Sequence, residues 1–154
     1  MIQNKQSVQP MPTNIFIDLN VILDVLLERP GYKASQAVLQ LSESTAVKLC
    51  ISAHTVTTFA YLLESAKLPK NEITRQLFWL LQTFNVIATD ATILEAALYS
   101  TVDDYEDAVV EQAAIAAKSL VIVTRNVKDF KNSAVPAMTP SAFLNTTTAK
   151  ITPE

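Results

Sequence analysis

Short apolar runs alternate with longer stretches of helical spacing along the whole sequence, and this alternation restricts the fold more than any other feature. Asn14 to Ile17 reads as a short buried strand closed by Asp18. Val21, Ile22, Val25 and Leu26 then recur as on one face of a helix, which Pro30-Gly31 stops. A helix over Lys33 to Ser42 leads to a strand over Val47 to Ile51. Ser52 is placed to cap a helix through Ala66, and Pro69 fits the first turn of the next. Asn85 to Ala88 is a brief strand, and Thr89 or Asp90 caps the helix that carries Ile93, Leu94, Ala97 and Leu98. A further helix is expected from Asp104 to Lys118. Leu120 to Thr124 is an unbroken strand of the kind covered on both faces of a parallel sheet. Val135 to Met138 is a weaker last strand before a cap at Pro140-Ser141. Strand–helix alternation of this kind implies βαβ units in an α/β fold, with helices on both faces of a small parallel sheet.

A chain of 154 residues fits one domain. We expect a flexible N-terminal tail over residues 1–12, an α/β domain over 13–145 and a C-terminal tail over 146–154, where the Thr-rich stretch Asn145 to Thr148 frays. Met1 to Pro12 is polar, and no apolar run approaches the roughly 20 residues of a membrane span, so the expected location is the cytoplasm. With 49% hydrophobic and only 18% charged residues, the chain has material for a core and for an apolar surface that meets a partner. Its formal charge of −3 excludes a generally basic nucleic-acid surface, so any such affinity must come from a local patch or bound cations. The single glycine, Gly31, excludes a Gly-rich phosphate loop. The single cysteine, Cys50, lies in an apolar strand and reads as a buried structural thiol.

In a parallel α/β sheet, sites gather at the carboxyl ends of the strands. Asp18 follows the first strand directly, Asp104 and Asp107 open the alanine-rich helix, and Asp129 follows the strand Leu120 to Thr124. Positions three apart on a helix share a face, so Asp104 and Asp107 are expected in one pocket, with Asp103 and Glu106 pointing elsewhere. Clustered carboxylates repel unless a cation lies between them, and hard oxygen ligands select Mg²⁺ or Mn²⁺. Such ions serve phosphodiester hydrolysis without a protein nucleophile.

These residues carry a family resemblance. Ile17-Asp18-Leu19-Asn20-Val21-Ile22-Leu23-Asp24 resembles the opening motif of PIN domains. Asp104-Tyr105-Glu106-Asp107-Ala108 resembles the third acidic motif, and Val123-Thr124-Arg125-Asn126-Val127-Lys128-Asp129-Phe130 the final strand and loop. Met138 to Leu144 is similar to the closing segment. The resemblance spans Asn14 to Leu144. It implies a three-layer α/β/α fold and a metal-dependent endoribonuclease of the VapC type, usually a homodimeric toxin silenced by a small antitoxin. It also implies catalytic and metal-binding roles for Asp18, Asp104, Asp107 and Asp129, supported by Asn20, Thr58, Thr124 and Asn126.

Thr58 departs from the pattern, because the family places an acid or Asn there; Glu64, six residues on, faces about 240° away and does not replace it. A catalytically weakened PIN-like domain that binds RNA or a protein partner is therefore the alternative. Arg125 and Lys128, flanking Asp129, are the candidates for RNA contact. His54 reads as a structural or surface residue, with RNA contact as the alternative. The apolar segments around Tyr61-Leu62-Leu63 and Leu77 to Leu81 offer a dimer face or antitoxin groove, or else a core helix with Trp79 buried.

Overall fold

A computed structural model describes residues 10–149 of the chain. Among these residues, five strands form one wholly parallel sheet: β1 (Thr13–Ile17), β2 (Val47–Ser52), β3 (Asn85–Ile87), β4 (Val121–Val123) and β5 (Ala137–Met138), in the order β3-β2-β1-β4-β5. The helices are α1 (Leu19–Leu26), α2 (Tyr32–Gln40), α3 (Ala53–Ser65), α4 (Lys70–Thr83), α5 (Ala91–Ala97), α6 (Tyr105–Ala116) and α7 (Pro140–Ala149), with 3₁₀ turns at Leu41–Glu43 and Val127–Phe130.

The two-residue period of the central strands divides the core between the faces of the sheet. Ile15, Ile17, Leu49, Ile51, Val121 and Val123 point to one side, where they pack with Val21 and Ile22 of α1, Val38 of α2, Phe59 of α3, Leu80 of α4 and Phe143 of α7. Phe16, Cys50 and Ile122 point to the other, against Val110, Ala113 and Ala114 of α6 and Phe130. Both faces of β1, β2 and β4 are thus covered, which is why these strands read as continuous apolar runs. Cys50 is fully buried among them.

The chain moves outward from β1 to β2 and β3, then returns to the opposite side of β1 with β4. Right-handed crossovers running in opposite directions along a sheet lie on opposite faces, so this reversal puts α1 to α4 on one side and α6 on the other. It also makes the carboxyl ends of β1 and β4 the point where the strand order reverses, the place where ligands gather in open α/β sheets.

Several boundaries differ from the sequence reading. Thr139, not Pro140-Ser141, caps α7, its hydroxyl accepting the Ala142 N–H at 3.2 Å. Thr146 and Thr147, expected in a frayed stretch, lie within α7, and both hydroxyls donate to the Phe143 carbonyl. Pro69 precedes α4 as its cap residue instead of entering the first turn. Trp79 is exposed on α4, its ring edge-on to Phe84 at 6.0 Å, so the buried-tryptophan alternative is set aside. Part of residues 1–12, and the last five residues of 146–154, fall outside the described region.

Candidate metal centre

The parallel register that pairs Phe16 with Cys50 and Ile17 with Val123 brings Asp18, Ser52 and Thr124 to one level at the strand ends. Asp18 is 7% exposed. Thr124 Oγ1 donates to its Oδ2 at 2.7 Å, and the nearby Leu19 N–H and Asn20 side chain also favour the charged carboxylate. Burial nevertheless raises the Asp18 pKa above the ordinary value, helped by the negative charge of Glu106. The Thr124 hydroxyl oxygen in turn accepts the Asn126 N–H at 3.0 Å, so one buried threonine ties the Asp18 end of β1 to the loop that carries Asn126 and Asp129.

Asp104 is the cap residue of α6 and accepts the Asp107 N–H at 3.1 Å. One carboxylate oxygen each from Asp104, Glu106 and Asp107 falls within 4.8 Å of the others. Glu106 therefore stands at this rim and not, as its helical position alone predicts, elsewhere. The three-apart rule applies inside a helix, whereas Asp104 stands just before α6 and folds back over its first turn. The longer Glu106 side chain reaches the same rim, where His54 Nε2 meets its Oε1 at 2.8 Å. Asp103 is exposed and is not among the three.

Asp107 shows the electrostatic consequence. Burial, and then the charges of Glu106, Asp18, Asp104 and Asp129, push its pKa from 3.8 up to about 7. Asp129, exposed in the 3₁₀ turn, therefore belongs to the same field. Hard oxygen donors crowded closely enough to push the Asp107 pKa up to about 7 fit a small divalent cation, which would relieve the repulsion.

Thr58 is half-buried one turn beyond His54 on α3, and its hydroxyl donates to the His54 carbonyl at 3.1 Å. Ser52 makes no cap bond to α3; its hydroxyl lies 2.6 Å from His54 Nδ1 and 2.9 Å from Thr55 Oγ1. Arg125, expected at RNA, has its Nη1 on Asp24 Oδ1 at 2.7 Å. Lys128 is exposed beside Asp129. Sequence reasoning missed Glu106 as a rim residue, and it missed the Asp24–Arg125 pair; the acidic run Asp103 to Asp107 was the only signal for the first.

No curated protein sequence matches the chain at a significant level. A profile of the PIN domain matches residues 14–128. The chain belongs to the PIN-domain family. Solved structures share the fold. VapBC2 from Rickettsia felis, bound to a DNA fragment from its promoter, has a TM-score of 0.63 at 17% identity over 82% of this chain and 98% of that one. PAE2754 from Pyrobaculum aerophilum gives 0.61 at 16%, over 92% and 99%. VapC20 of Mycobacterium tuberculosis, a sarcin-ricin-loop-cleaving toxin, gives 0.52 at 15%, over 70% and 86%.

One prediction follows from the acidic field of this PIN domain. An acid whose pKa is raised on folding keeps a proton that the unfolded chain has released, so stability falls as pH rises from about 4 to about 7 and stays reduced above. In EDTA, the melting temperature is expected to drop between pH 5 and pH 8, and Mn²⁺ is expected to flatten that drop. A melting temperature that rises over this range in EDTA would refute the raised acid.

Proposed function

We propose that this PIN domain is a metal-dependent endoribonuclease that hydrolyses RNA phosphodiester bonds, and that it serves as the toxin of a type II toxin–antitoxin pair. The observation that carries this reading is the convergence of Asp104, Glu106 and Asp107 beside buried Asp18 in a PIN-domain chain. Asp18, Asp107, Asp104 and Asp129 would hold Mg²⁺ or Mn²⁺, with Asn20, Thr124 and Asn126 orienting the carboxylates and the loop. When bound, the cation supplies Lewis acidity to a phosphodiester oxygen and acidifies an attacking water. Lys128, exposed and adjacent in sequence to Asp129, would meet a phosphate, a contact worth most against the negative charge of this protein.

A small antitoxin and a second copy are the proposed protein partners. An apolar groove of about 400 Å³ between α1, α3 and α4, lined by Leu23, Leu26, Leu62, Leu63 and Leu68, supports an apolar partner segment. No helix among the described residues is long and apolar enough to cross a membrane. The cytoplasm is the compartment that the proposed toxin role requires.

The test is a mixed single-stranded RNA pool incubated with the purified chain. Cleavage is expected with Mn²⁺ or Mg²⁺, is expected to stop in EDTA and to return when metal is restored, while small phosphate esters are left intact. Well-folded protein that cleaves no RNA in either metal would sink the reading. Thr58 favours a second one, a weakened PIN-like domain that binds RNA or protein. If Thr58→Glu also leaves the chain inactive, that second reading prevails.

A further inference from the structure

The second helix–strand junction of the site carries no acid on α3, yet α3 is bonded to one. His54, in the first turn of α3, reaches across to α6, where its Nε2 lies 2.8 Å from Glu106 Oε1. The other ring nitrogen is engaged from below, 2.6 Å from the hydroxyl of Ser52, which is fully buried and bonded in turn to Thr55. With both nitrogens engaged the imidazole has a fixed plane, as in rings that orient a ligand from behind. Thr58 stands four residues after His54, hence on the same face of α3, one turn further along. A carboxylate at 58 would therefore project from the face that His54 now uses to hold Glu106.

We propose that Glu106 supplies from α6 the metal-holding carboxylate that α3 lacks at Thr58, and that His54 is its positioning residue. This rests on the metal-dependent reading of the site. Glu106 is more than half exposed and would otherwise sample many rotamers, at an ordering cost typical of long charged side chains. The His54 contact selects the one that places an oxygen within 4.8 Å of Asp104 and Asp107 oxygens. The hydroxyl–imidazole–carboxylate order of Ser52, His54 and Glu106 does not make a nucleophile here, because the serine is sealed beneath α3 and the carboxylate end faces the rim.

The experiment is Mn²⁺ binding to the full, metal-free chain, followed by the electron paramagnetic resonance signal of free Mn²⁺, with circular dichroism to establish folding of each variant. Glu106→Gln keeps the shape and removes the charge, and is expected to weaken Mn²⁺ binding by at least about tenfold. His54→Ala is expected to cost about tenfold, the range for groups that orient a metal ligand, while His54→Gln, which keeps an N–H donor, recovers most of it. Thr58→Glu added to Glu106→Gln is expected to restore binding, because the carboxylate returns from α3. If Asp107→Asn abolishes Mn²⁺ binding but Glu106→Gln leaves it unchanged, the metal site stands and this assignment falls. If Glu106→Gln weakens binding and Thr58→Glu does not restore it, the substitution of one acid for the other is wrong. A parent chain that takes up no Mn²⁺ overturns both the assignment and the reading beneath it.

Discussion

Asp107→Asn is expected to lower RNA cleavage by roughly a hundredfold to a thousandfold, the range for removing one group that acts on the developing charge. In the same protein without metal at pH 8, it is expected to raise the melting temperature. The two effects have one cause. Asp107 lies where burial and four other carboxylates oppose its ionisation, so at this pH its charge is a strain on the folded state. Asparagine keeps the shape and removes that strain, together with the ligand. Function and stability should therefore move in opposite directions, as at sites kept for chemistry and not for folding. Cleavage unchanged by the substitution, or a variant that melts below the parent at pH 8, would contradict this account.

Arg125→Met is expected to lower stability by about 2–3 kcal/mol, short of the range for breaking a fully buried pair because Arg29 remains nearby. For a chain of this size that corresponds to roughly 5–10 °C in melting temperature. Asp24 is only 2% exposed; Ser35 donates to its Oδ2 at 3.0 Å and Arg125 to its Oδ1 at 2.7 Å, while Arg29 stands off at 3.8 Å. Without Arg125 the carboxylate stays buried with one hydroxyl and one more distant cation. Lys128→Ala, on the same loop but exposed, should change stability by no more than about 0.5 kcal/mol and should instead raise the KM for RNA. A normal melting temperature for Arg125→Met, with a raised KM, would return Arg125 to the RNA and empty the Asp24 pair of its structural role.

The parallel sheet was legible because β1, β2 and β4 are buried on both faces, and burial on both faces leaves continuous apolar runs that few other arrangements need. Asp18 was legible for a related reason: a carboxylate directly after such a run must lie at a strand end. Glu106 was not. Helical periodicity counts from a residue inside the helix, and Asp104 proved to be the cap, so the face reasoning began one position outside the regular geometry. His54 escaped because its partner is 52 positions away, and Arg125 because Asp24 is 101 positions away; no local pattern encodes either pairing. Thr139 caps α7 although Pro140 beside it is the more conspicuous signal in the sequence.

The tie from Thr124 back to Asp18 spans 106 positions and links the central strand to one of the last to be made. During synthesis, the first half of the chain emerges carrying Asp18 and His54 but without α6, β4 or the loop that bears Asp129. A ribosome-bound fragment of that length lacks most of the acidic rim. For a protein proposed to cut RNA, this late closure delays activity until nearly the whole domain has left the exit tunnel, and the same arrangement silences any product cut short by proteolysis before β4.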